Sequence, residues 1–112
     1  MNSLMTMSNE ELILRIKGTR FIVINTCHGG FGLSPRAEKE YKELASIDDP
    51  KWSYYDMDRD DPYLVQIVNS LGMAANGAYA NLKVVEIPAD VDWEIGDYDG
   101  LEWVAEKHRT WS

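Results

Sequence analysis

Two stretches of the chain gather residues that can do chemistry. In Cys27-His28-Gly29-Gly30-Phe31-Gly32 a thiol stands beside an imidazole, followed by three glycines in four positions. A thiolate is a nucleophile where its surroundings lower its pKa. Neighbours at a strand end face opposite sides, however, so adjacency in sequence does not make a catalytic pair. A small buried cysteine and a loop histidine are the plainer expectation. A glycine-rich loop that opens a helix presents backbone N–H groups and the positive end of the helix dipole, which suit a phosphate or carboxylate. His28, Gly29, Gly30, Phe31, Ser34 and Arg36 are the candidate ligand-binding residues here. Neither GxGxxG nor GK[ST] is present, so the loop is neither a dinucleotide fingerprint nor a P-loop. The competing expectation is a tight turn whose Phe31 and Leu33 plug the core.

The second stretch is Glu106-Lys107-His108-Arg109-Thr110-Trp111. On a strand, Glu106 and His108 share a face, and a carboxylate there can orient an imidazole for general-base work. Arg109 is a fork for phosphate or carboxylate, and Trp111 is a stacking surface. An edge strand with solvated charges is the plainer alternative. If this strand neighbours the loop after Thr26, His28, His108 and Arg109 converge on one pocket for a nucleotide-like anion.

Acidity is the third feature. The 112-residue chain carries a net charge of −8. Residues 1–47 hold six Lys/Arg and five Asp/Glu, whereas residues 48–112 hold five and fourteen. Such a surface repels nucleic-acid phosphates and steers toward basic partners. Asp56, Asp58, Asp60, Asp61, Asp97 and Glu102 are the candidate partner-binding residues. Solubility is the bland alternative. The alternating aspartates lack the glycine and closing glutamate of a calcium loop, so no metal is expected, and no cofactor.

A local scaffold must position these groups. Residues 20–26 read as a strand buried on both faces. Ser34 and Pro35 open a helix over 35–46. Residues 52–55 suggest a short strand. Asp61 and Pro62 open a second helix that runs to Gly72, with 73–77 either a last turn or a loop. Residues 82–88 read as a strand. Residues 91–98 and 101–109 form a hairpin about Asp99-Gly100, a favoured type I′ pair that sets Tyr98 opposite Leu101 and Gly96 opposite Trp103. Residues 9–17 fit either a capped helix or an alternating strand. The fold class expected is α+β, one domain over 1–112, with a mostly antiparallel sheet and two helices on one face.

Apolar residues make up 45% of the chain, enough for one packed core, and no apolar run approaches a membrane span. Residues 1–8 lack the basic and apolar regions of a signal peptide. Cys27 is the single cysteine, which excludes a disulfide framework and fits a reducing compartment, so a cytoplasmic protein is expected.

The stretches INTCHGGFGLSPRA at 24–37, DRDDPYLVQIV at 58–68, LKVVEIP at 82–88 and YDGLEWVAEKHRTW at 98–111 together resemble a family of small phage and prophage proteins. The resemblance covers about residues 20–112 and leaves 1–19 as an extension. No activity comes with it. By association it implies an accessory role in the host cell, such as neutralising a defence system. Two functions are therefore expected. The first is a non-catalytic inhibitor that binds a host or defence protein, one with a basic nucleic-acid-binding surface, through its acidic side, as an anti-CRISPR protein does. The second is a small-molecule binder or minimal enzyme at the glycine loop. The aromatic content is also compatible with a homodimer; direct nucleic-acid or membrane binding is not expected.

Overall fold

The structure, a computed structural model, describes residues 18–107. Their order is β1 (Thr19–Asn25), α1 (Pro35–Ala45), α2 (Pro62–Leu71), β2 (Leu82–Pro88), β3 (Trp93–Tyr98) and β4 (Leu101–Glu106). The fold is α+β and every strand pairing is antiparallel. Residues 9–17, ambiguous in sequence, lie outside the described residues.

β1 is rich in β-branched residues, and Ile22, Val23, Ile24 and Asn25 in succession are all buried, so both its faces are covered. It pairs with β2 from Thr19↔Pro88 to Asn25↔Leu82. Val23, with Val84 opposite it, joins a core filled by Ala37 and Tyr41 of α1 and Leu64, Ile67 and Val68 of α2. Burial of these side chains is the main stabilisation, at about 1.5–3 kcal/mol for each large one.

Both helices start where local chemistry says they should. The Ser34 hydroxyl accepts from the Ala37 N–H at 3.1 Å, with Pro35 in the first turn. Asp61 Oδ1 accepts from the Tyr63 and Leu64 N–H groups at 2.8 and 3.3 Å. Its Oδ2 accepts from the Tyr41 hydroxyl at 2.7 Å, so the cap of α2 also ties that helix to α1. Residues 72–75 continue as a tight single turn after α2.

The short strand expected at 52–55 is instead a single tight turn over Tyr54–Asp56. Asp56 Oδ2 accepts from the Ser53 N–H at 3.0 Å, and the Ser53 hydroxyl accepts from the Tyr55 N–H at 3.4 Å. Those side chains satisfy the backbone that a strand would have needed to pair. Trp52 meanwhile stacks on Tyr41, with centroids 5.2 Å apart.

The strands form two ribbons rather than one sheet. The edge of β1 away from β2 is closed by side chains and a loop. The Val23 N–H donates to the Arg59 carbonyl at 2.8 Å, and the Asn25 N–H donates to Glu102 Oε1 at 2.8 Å. Arg59 donates to the Val23 carbonyl at 3.2 Å and forks both Glu102 oxygens at 2.6 and 2.8 Å. β3 and β4 form the expected hairpin, with Asp99 at φ 52° and Gly100 at φ 91°, as a type I′ turn requires. Tyr98 faces Leu101 and Gly96 faces Trp103. A Cβ on Gly96 would fall 2.3 Å from the Trp103 indole, which lies across it.

Candidate functional site

The glycine loop is built around Asn25. Its Nδ2 donates to the carbonyls of Cys27 and Gly100 at 2.6 and 2.7 Å. Its Oδ1 accepts from the Asn81 N–H at 2.7 Å and lies 3.4 Å from the Cys27 sulfur. One buried amide thus holds the end of β1, the loop that follows, the hairpin turn and the segment before β2.

That clamp brings two backbones together. The Gly77 N–H donates to the Gly32 carbonyl at 2.9 Å. A Cβ on Gly29 would fall 1.8 Å from the Tyr79 carbonyl oxygen, and one on Gly77 would fall 2.9 Å from Gly32. Both positions need glycine because main chain passes where a side chain would begin. Between residues 29–33 and 77–80, with Tyr54 and Tyr55 completing the wall, lies a groove of about 240 Å³. Tyr54 sits edge-on to Phe31 and 4.5 Å from the Tyr55 ring. Tyr55 and Tyr79 are 74% and 78% exposed, unusually open for rings beside a cleft. The Tyr54 phenol pKa is raised, first by its hydroxyl contact with Tyr55 and then by burial.

Of the residues expected to hold an anion, Gly29, Gly30 and Phe31 line the groove. Ser34 does not. Its hydroxyl caps α1 and donates to the Ala74 carbonyl at 2.6 Å. Arg36 lies 3.9 Å from Glu40, exposed along α1. His28 is exposed and meets Tyr98 edge-on at 6.2 Å. The Cys27 thiol donates to the Tyr79 carbonyl at 3.1 Å, so thiol and imidazole engage separate partners. His108 and Arg109 lie outside the described residues. Glu106 pairs with Trp93 at the open end of the hairpin, whereas His28 sits by the turn. Roughly 17 Å of strand separates the two ends. His28 and Glu106 therefore do not converge.

The expected partner-binding acids are unequal. Glu102 is spent on Arg59, with its side chain 9% exposed, and Asp61 on its cap and Tyr41. Asp56 closes its turn and Asp97 accepts from the Gly100 N–H at 2.9 Å, yet both remain exposed. Asp58 is exposed and Asp60 half-buried before α2. The turn bearing Asp97 and Asp99 abuts the glycine loop, because a Cβ on Gly100 would come within 2.6 Å of the Gly30 nitrogen.

Among the described residues no Lys, Arg, His, Asp or Glu lines the groove. A phosphate would find no cation there, and the volume lies below the roughly 300 Å³ at which drug-sized ligands are enclosed. Beside the groove Arg59 covers the Phe31 ring at 3.6 Å and is paired with Glu102. No cluster of His, Cys, Asp or Glu among the described residues could hold a metal ion. Larger hollows lie between α1 and α2, about 340 Å³, and beside the start of β1, about 490 Å³. The first is lined by Ser70 with Glu40 and Glu43, the second by Thr19 with Asp60, and in neither does a described hydroxyl hydrogen-bond to a carboxylate. No described helix is long and apolar enough to cross a membrane.

Sequence reasoning missed Tyr54, Tyr55, Gly77 and Tyr79. The signal for them was a second glycine, Gly77, two residues before a tyrosine in a segment with no helical or strand period. No protein-family model matches the chain, and neither a curated protein nor a solved structure does.

Proposed function

We propose that this is a non-catalytic binding protein that takes an extended, basic segment of a partner protein along the groove between residues 29–33 and 77–80. The observation that carries this reading is the groove's make-up: a floor of two main chains that glycines allow to meet, with the exposed rings of Tyr55 and Tyr79 beside it. Tyrosine supplies large, rigid contact area at low entropic cost, which is why it is enriched where proteins meet. The charge of −8, with Asp56, Asp97 and Asp99 exposed around the groove, favours a cationic segment and raises its encounter rate. The resemblance to small phage proteins makes a host or defence protein the partner, with inhibition as the outcome of occupying its basic surface.

The test is fluorescence anisotropy with a labelled heptapeptide, Gly-Lys-Gly-Arg-Gly-Lys-Gly, against the protein and its Tyr55→Ser/Tyr79→Ser variant. Binding that weakens about tenfold in the variant, at unchanged melting temperature, is expected. Equal binding to the variant, or tighter binding of AMP than of the peptide, would overturn the reading.

A further inference from the structure

The groove is too small to hold a peptide as a whole, so one side chain must enter it. We propose that this side chain is an arginine, held by its guanidinium against the tyrosine faces. The inference rests on the reading of the groove as a peptide site.

Three observations carry it. First, the groove is walled by main chain and by Phe31, Tyr54, Tyr55 and Tyr79, with no charged side chain among the described residues in the lining. A cation entering it meets aromatic walls, and a ring attracts positive charge at its face through its quadrupole. Second, the same aromatic cluster already holds cations elsewhere. Arg59 stands 3.6 Å over Phe31, and Lys42 stands 5.4 Å over Trp52. Among the described residues no such cation covers Tyr54, Tyr55 or Tyr79, and two of these rings are about three-quarters exposed. Third, the surroundings are negative. Asp56 follows Tyr55 directly, and the hairpin turn carrying Asp97 and Asp99 packs against Gly30. An anion entering the groove would face these carboxylates with no compensating cation.

Arginine fits better than lysine. Its planar guanidinium is weakly hydrated and stacks flat on a ring, whereas an ammonium keeps its water more strongly.

The experiment compares heptapeptides Gly-Lys-Gly-X-Gly-Lys-Gly in which X is arginine, lysine, citrulline or tyrosine, titrated into the full chain and followed by anisotropy. Citrulline keeps the shape of arginine and removes its charge. Arginine should bind about three- to thirty-fold more tightly than citrulline, with lysine between them. In Tyr55→Leu/Tyr79→Leu that ratio should shrink to the small factor that one long-range charge gives. Citrulline or tyrosine binding as well as arginine would overturn the arginine pocket and leave the peptide groove standing. A ratio unchanged in the double variant would do the same. Failure of all four peptides to bind would overturn both.

Discussion

Asn25 is fully buried, and its side-chain amide uses both donors and accepts from the Asn81 N–H at its oxygen. Replacing it with alanine takes the partner from the Cys27 and Gly100 carbonyls and the Asn81 N–H, whose bonds to it are part-buried. Each orphaned group costs about 1–3 kcal/mol. Asn25→Ala should therefore lose about 3 kcal/mol or more in urea unfolding, and a loss below about 1 kcal/mol would mean that water replaces the amide. Tyr41 is a second residue with a readable role. Burial first, and then its hydrogen bond to Asp61, raise its phenol pKa. A group whose pKa is higher folded than unfolded stabilises the fold fully below its unfolded value, about 10 for tyrosine. That contribution is lost as pH climbs from there through the folded value. Tyr41→Phe should cost about 1.5–3 kcal/mol at neutral pH. It should also fall off less steeply than the parent above pH of about 10. Parallel alkaline profiles for the two proteins would show that Tyr41 does not carry the effect.

At the level of the elements, glycines let the groove's backbones meet, and one ion pair closes the edge of β1. Gly30 has φ 94° but open space around it, whereas Gly100 has φ 91° and Gly30 backbone within 2.6 Å of a built Cβ. Gly30→Ala should cost about 1–2 kcal/mol, the cost of left-handed backbone alone. Gly100→Ala should cost more, because the hairpin must also move off the loop; equal losses would contradict the contact. Arg59 and Glu102 stand where a third strand would pair with β1. Their side chains are 22% and 9% exposed, so losing one partner leaves a poorly solvated charge. Glu102→Gln should cost about 2–3 kcal/mol and speed hydrogen exchange at the Asn25 amide. The double variant Arg59→Met/Glu102→Met should lose less than the sum of its single variants.

Which elements were legible follows from the range of their causes. Ser34-Pro35, Asp61-Pro62 and Asp99-Gly100 act within three or four residues, so both helix starts and the hairpin register could be read directly. Trp52 to Tyr55 has strand-like composition, but whether it pairs depends on a partner that sequence does not reveal, and Ser53 and Asp56 closed it as a turn. The groove was illegible for the same reason on a larger scale. Its walls come from three segments far apart in the chain, joined through Asn25 and the Gly32–Gly77 contact.

For the whole molecule, charge and groove work together. A net charge of −8 spread over a small protein attracts a cationic segment over about a Debye length, which is about 10 Å at 0.1 M salt and about 3 Å at 1 M. Peptide association should slow with added salt, while the preference for arginine over citrulline, made by contact, should persist. The most direct test of the groove reading is to map the arginine heptapeptide onto the protein by amide chemical-shift titration. Shifts concentrated at residues 29–33, 54–55 and 77–80, absent with a Glu-substituted peptide, are the predicted result. Shifts confined to residues 58–61 or to β2, with the groove amides unmoved, would contradict it.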